Sequence, residues 1–228
     1  MVSLINSEAK QEDAVRYIHE CKQMNIAILP PDLRYNNDKW VIEGEALRIP
    51  LCYLKYVGHI QYELADTFEQ FMAINNINKR MLESLIKSGA CDFFKLSRPR
   101  MLALVEPLKE LKSRQEQCQE KIKENQELLD SSTEPKDIKK YTRQLESWRK
   151  KLEESKLKEV QSESFDEIEA EISVLGFSFK QVPKVKHGKL IKVYSKNDKN
   201  GNEMSWLTFE TKYGEFRCTV FARQWKLS

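Results

Sequence analysis

The sequence predicts an α+β protein built in three parts, and three observations predict it. A charged run from Leu104 to Val160 repeats apolar residues at alternating steps of four and three, the pattern of paired helices. Before it, one helical stripe and several short apolar runs read as a small, mostly helical unit. After it, stretches of alternating residues read as antiparallel β structure. The boundaries fall at residues 1–100, 101–160, a connecting helix at 161–180, and 181–228. A chain of 228 residues, 40% hydrophobic and 32% charged, has room for two small domains and a rod.

In the first unit, Glu8 to Met24 is helical in period: Ala14, Val15, Ile18 and Cys21 share a face. Asn25 ends that helix, and Ile26 to Leu29 is a short strand stopped by Pro30 and Pro31. Lys39 to Ile42 and Ala46 to Ile49 read as two more strands around a turn at Glu43-Gly44-Glu45. Lys55-Tyr56-Val57-Gly58-His59 is a further candidate turn. Leu82, Leu85 and Ile86 form the stripe of another helix, which Gly89 closes as a C-terminal cap, and Ala90 to Phe94 is expected to pack beneath the helices.

In the rod, Leu104, Leu108, Leu111, Gln115, Cys118, Ile122, Asn125 and Leu129 fall on one stripe. Ile138, Tyr141, Leu145, Trp148, Leu152 and Ser155 fall on a second. Between them, Asp130 to Pro135 supplies capping hydroxyls and a helix-starting proline, so two arms of roughly 25 residues fold back antiparallel into a coiled-coil hairpin on the order of 35 to 40 Å long. A stiff spacer is one role for it, and dimerisation through the same stripe is the other. In the tail, Gly188 to Lys196, Glu203 to Thr211 and Glu215 to Phe221 read as three strands.

Charge is uneven. The whole chain carries +3, but Lys180 to Ser228 holds eleven Lys and Arg against four Asp and Glu, so the tail is where a polyanion is drawn. The five cysteines stand singly, with no zinc-ligand spacing, and His19, His59 and His187 sit in no metal or nucleophile motif. No apolar run approaches the ~18 to 20 residues that span a bilayer. These features predict a cytoplasmic protein with no membrane partner.

The segment from Arg16 to Leu33, with its Cys-Lys-Gln-Met-Asn-Ile run leading into Leu29-Pro30-Pro31-Asp32, resembles part of the bacterial DNA polymerase III alpha subunit. Asn78-Lys-Arg-Met-Leu-Glu-Ser-Leu-Ile-Lys-Ser-Gly-Ala-Cys-Asp-Phe93 resembles a second stretch of that family, and Glu169 to Phe179 a third. Met204 to Thr211 with Gly214 to Phe221 is similar to the first half of its OB-fold. The resemblance implies that Leu47 to Leu64 occupies the place of a helix-hairpin-helix element and that 181–228 is a partial OB-like domain, with the helical hairpin inserted between the two.

These matches carry the candidate sites. A hairpin turn aims backbone N–H groups at one phosphate, which makes Lys55, Tyr56, Gly58 and His59 candidates for DNA backbone contact; a retained scaffold turn is the alternative, since Tyr56 stands where the family has glycine. Lys79 and Arg80, at the start of the next helix, either meet a phosphate or are solvated. An OB-type surface stacks bases on aromatics while cations track the backbone. Leu207 and Phe209 then point inward, and Trp206 and Arg217, with Lys192, Tyr194 and Lys196, face the nucleic acid; burial is the alternative for Trp206. Gln161 and Phe165 have the outer spacing of a sliding-clamp-binding peptide, with a plain linker as the alternative. Three strands leave the barrel incomplete, so either a partner completes the sheet or Trp225 and nearby helices cover it.

No paired strand carboxylates, phosphate-cradling glycine loop or nucleophile with a base appears, and in the resemblance the catalytic palm lies ahead of Met1. The chain is therefore expected to be no enzyme and to need no cofactor. The expected function is a DNA-binding and replisome-docking module of a split or mobile-element polymerase, acting in replication on single-stranded or primer-template DNA. The alternative is an adaptor that docks a polymerase core or sliding clamp, with a homodimer through the coiled coil or the open sheet edge.

Overall fold

A computed structural model describes residues 2–7, 11–157, 160–162, 164–182, 187–197, 199 and 201–221. Helix α1 (Val2–Ser7) precedes α2 (Gln11–Gln23). A helix of six residues carries too little periodic signal for α1 to be legible in the sequence; it is held by the side-chain amide of Asn6, which accepts from Trp40 N at 2.9 Å and donates to Trp40 O at 3.1 Å. Ala14, Ile18 and Cys21 bury the inner face of α2, and Asn25 ends it with φ +59.

Strands β1 (Ala27–Leu29), β2 (Val41–Glu43) and β3 (Ala46–Arg48) form a sheet in the order β1-β3-β2. The β1–β3 pairing is parallel and the β2–β3 pairing antiparallel. Arg48, almost fully buried, forks onto Glu43 and donates to Pro30 O at 3.0 Å. This satisfies a charge that burial would otherwise penalise.

Helix α3 (Phe68–Ile74) starts at the cap Thr67, whose Oγ1 accepts from Gln70 N, and α4 (Lys79–Ser88) at Asn78, whose Oδ1 accepts from Arg80 N. Gly89 closes α4 in the left-handed region at φ +88, as its placement predicts. Phe68, Phe71, Leu82, Leu85, Ile86, Met101, Leu104 and Leu175 are fully buried and form the centre of the core.

The rod is α5 (Arg98–Ser131) and α6 (Pro135–Glu153), packed along the expected stripes. Cys118, Asn125 and Leu145 are buried between the arms, the remaining expected positions beyond Leu108 are half-buried, and Ile138 alone is exposed. The serine hydroxyls act differently from expectation. Ser131 and Ser132 donate to Leu128 O at 3.1 and 2.6 Å and close α5; the residue that opens α6, Glu134, makes no side-chain cap bond.

Two boundaries read from the sequence differ in the structure. The first turns of α5 belong to the core through Met101, Leu104, Val105 and Leu108, so the rod is rooted in the N-terminal unit. Helix α7 (Glu167–Leu175) lies in what reads as a connection, yet it packs on α4 and buries Val174 and Leu175 in the same core, with Phe177 just beyond its C-cap Gly176. Arg98 ties these pieces together, donating to Asp92 Oδ2 at 2.8 Å and to Glu171 Oε1 at 2.9 Å. Glu171, 2% exposed, also accepts from Ser178 Oγ at 2.6 Å and Phe179 N at 2.9 Å. Burial opposes the charge of Arg98, but its bonds to the two carboxylates outweigh that and raise its pKa above the ordinary arginine value. Among the described residues no helix is long and apolar enough to cross a membrane.

Candidate nucleic-acid interface

Strands β4 (Lys189–Asn197), β5 (Glu203–Thr211) and β6 (Gly214–Phe221) form an antiparallel sheet with β5 in the middle. Side chains alternate between faces, so register decides which residues meet. Lys196, Met204 and Phe221 form one row, Tyr194, Trp206 and Thr219 the next, and Lys192, Thr208 and Arg217 a third. All five candidates read from the sequence therefore share one face. The Tyr194 and Trp206 rings lie 5.5 Å apart, tilted by 35°.

That face is available to a ligand. Tyr194 is 56% exposed, Lys192, Lys196 and Arg217 are exposed, and Trp206 is half-buried rather than closed in. Glu210 and Glu215 pair at its far end, so the cations concentrate around the two rings. Three cations flanking two rings can hold a phosphate chain while bases stack.

The opposite face carries Leu190, Val193, Leu207, Phe209, Phe216, Cys218 and Val220. Leu207 is buried as expected, but Leu190, Val193 and Phe216 are 44 to 50% exposed. Among the described residues no further strand joins the sheet, and Trp225 lies outside the described residues.

The second candidate region is less regular. A 3-10 turn at Leu51–Tyr53 precedes Lys55 and Tyr56, and the chain from Val57 to Ala65 has no regular secondary structure before α3 begins. The turn forms, but among the described residues no α-helix lies between β3 and α3, so the two helices that the resemblance places over 47–64 are not formed. Tyr56 takes the left-handed conformation at φ +66, where glycine is favoured; Gly58 does not, and a Cβ there would meet nothing. Lys55 N donates to Val174 O at 3.0 Å, fixing the turn to α7.

A cleft of about 450 Å³ opens beside this turn, lined by Lys55, Tyr56, Arg80, Glu83, Ser84, Lys87, Ser173 and Val174. Lys55 and Arg80 are thus brought together. His59 turns instead to Asp38, at 2.8 Å. Lys79 is held by Glu106, whose hydrogen bond raises the lysine pKa.

No family model matches the chain. Over 122 residues it is 31% identical to the DNA polymerase III subunit alpha of Thermus aquaticus, covering 47% of this chain and 10% of that protein. The subunit alpha of Chlamydia pneumoniae is 32% identical over 108 residues, and that of Bacillus subtilis 29% over 119.

The chain is related to DNA polymerase III alpha subunits. The match spans about a tenth of the length of these relatives and is consistent with a piece of their C-terminal region.

The two candidates for a clamp-type peptide, Gln161 and Phe165, lie beside the start of α5. Half-buried Phe165 and exposed Gln161 line a pocket of about 380 Å³ with Pro99, Leu102 and Ala103 of α5, and Arg100 holds Val160 O beside it. The sequence reading missed Glu83, Ser84, Lys87, Ser173 and Val174 of the cleft and Met204 and Phe221 of the sheet face. Ser84 and Lys87 follow Arg80 at steps of four and three, which a helical count from Arg80 would have found. Met204 and Phe221 follow from continuing the alternation outward from Trp206 and Arg217. Among the described residues, no three His, Cys, Asp or Glu side chains gather where they could hold a metal ion.

Proposed function

We propose that this chain is a noncatalytic DNA-binding module related to the alpha-subunit tail, acting in DNA replication as part of a split or mobile-element polymerase. The observation that carries this reading is the aromatic pair of exposed Tyr194 and half-buried Trp206 between Lys192, Lys196 and Arg217. A single strand lies across β5 with a base against each ring and phosphates near the three cations. The cleft at Lys55, Tyr56, Arg80 and Lys87 supports a second backbone contact, on the duplex side of a primer-template. The module binds and positions; bond making belongs to another polypeptide.

The test is fluorescence anisotropy with labelled single-stranded DNA across a salt series. Stacking contributes about 1 to 3 kcal/mol per base, so Trp206→Ala with Arg217→Ala should weaken binding by about 10- to 100-fold and flatten the salt dependence. Equal affinity of the variant and the parent would refute the reading.

A second reading rests on the opposite face. Leu190, Val193 and Phe216 leave an apolar surface open where a closed barrel has its core. In that reading the chain is an adaptor, and a polymerase core, a sliding clamp or a second copy at the open edge completes the sheet. It predicts no single-strand binding at low salt and a stable complex with the purified polymerase core or clamp.

A further inference from the structure

The two arms of the rod differ in charge. Helix α5 carries seven Lys and Arg and seven Asp and Glu, whereas α6 carries seven against three. That excess of four exceeds the net charge of the whole chain, +3. Its placement is ordered. Lys136, Lys140, Arg143, Ser147 and Lys150 follow one another at steps of four and three, which puts them on one helical stripe, and Lys139 and Lys151 flank it. The seam positions Tyr141, Leu145, Trp148 and Leu152 are turned toward α5, so this stripe is the outer face, and all its cations are exposed.

Ordinary surface helices interleave both signs and pair them at i,i+4. Here Lys150 pairs with Glu154 at 3.7 Å, while among the described residues no carboxylate pairs with Lys136, Lys139, Lys140 or Arg143. The stripe has no apolar anchor, and lysine is depleted in the centres of protein–protein interfaces. The chemistry therefore fits a polyanion with a regular charge spacing rather than a folded protein.

We propose that the outer face of α6 is a further nucleic-acid surface, distinct from the sheet and the cleft, one that lies along the phosphate backbone of double-stranded DNA. From Lys136 to Lys150 the stripe spans about 21 Å at about 1.5 Å per residue. Duplex DNA presents about a dozen phosphate charges over that length, which the six cations half-neutralise. The contact reads no sequence and needs no deformation. It is independent of the single-strand surface on the β sheet, and the rod that carries it is rooted in the N-terminal core.

The experiment uses the full chain and a labelled blunt duplex of 30 base pairs with no single-stranded end. The parent should bind at low salt, and replacing Lys136, Lys140, Arg143 and Lys150 with alanine should weaken binding about 100-fold. The slope of log affinity against log salt should fall by about 3 to 4. Alanine favours helix, and a matched set with glutamine serves if the alanine set loses helicity by circular dichroism. Trp206→Ala with Arg217→Ala should lose single-strand binding and keep duplex binding, so failure of the sheet reading and failure of this one separate. The proposal is overturned if the parent ignores the duplex at low salt. It is also overturned if the helical variant keeps parental affinity and slope, or if Arg114→Ala with Lys121→Ala and Lys123→Ala on α5 weakens binding as much.

Discussion

The N-terminal unit and the C-terminal sheet spend their apolar residues in opposite ways. In the first, Phe68, Phe71, Leu82, Leu85, Ile86 and Met101 are fully enclosed, and a buried arginine network closes the base of the rod. In the second, β4 is exposed along its whole length and β5 alone holds buried side chains. A three-stranded sheet with two open faces gains little from burial. The difference teaches where to look for function: one region is organised to hold itself together, and the other presents rings, cations and an apolar face to partners.

The comparison breaks first at Arg98. Arg98→Ala leaves Glu171 buried with its charge unpaired, and removing one member of a buried pair costs about 3 to 5 kcal/mol. The main thermal transition should fall by about 6 to 20 degrees in calorimetry. A shift of a degree or two would mean that the network is incidental and that packing alone anchors α5 and α7.

Gly89→Ala is the next largest. A Cβ there would sit 2.5 Å from Arg98 Nη2 and 2.9 Å from Asp92 Oδ2, at a backbone φ of +88. Left-handed strain of about 1 to 2 kcal/mol adds to displacement of the arginine fork, so a loss of about 2 to 4 kcal/mol is expected in urea unfolding. Placing the same substitution in an Arg98→Ala background should cost only the backbone part, because the two share a cause.

Trp206→Ala with Arg217→Ala sharpens the comparison from the other side. Neither side chain closes a core, so the main transition should move by less than about 1 kcal/mol while single-strand affinity falls. A large loss of stability would show that the sheet holds itself together after all.

Much of this was legible because it depends on period. The rod stripes, the β5 and β6 alternation and the cap at Gly89 all follow from spacing, and each appears where the residues put it. What period cannot show is depth. Glu171 looks like one more acid on an acidic helix, yet it lies at the centre of the core because Arg98, 73 positions earlier, reaches it. Lys79 and Arg80 are neighbours with the same chemistry in the sequence; Glu106 holds the first, and the cleft receives the second. Phe165 fits a docking peptide by spacing, and only the fold shows that it lines a pocket with Pro99, Leu102 and Ala103 of α5.

The smallest expected effect concerns how the sheet meets the core. Lys212, in the β5–β6 turn, donates to Asp166 Oδ2 at 2.8 Å, and Asp166 also caps α7 through Ile168 N and Glu169 N. The Lys212 hydrogen bond, with help from the helix amides, holds the Asp166 carboxyl below its ordinary value; the same bond raises Lys212 above its own. A depressed carboxylate contributes stability above its unfolded pKa of about 4, and that contribution disappears as pH falls through the folded value. The raised lysine contributes below about pH 10.4 and loses its contribution as pH rises through its own folded value. The clasp is therefore constant from about pH 5 to 9 and opens on the acid side below about pH 4. In two-dimensional NMR the amides of Lys212 and Tyr213 should titrate with a midpoint below the ordinary aspartate value, and Lys212→Ala should move that midpoint up toward it. A midpoint at or above the ordinary value in the parent would mean that the pair is too solvated to tether the sheet, and the contrast between the two regions would then extend to their attachment.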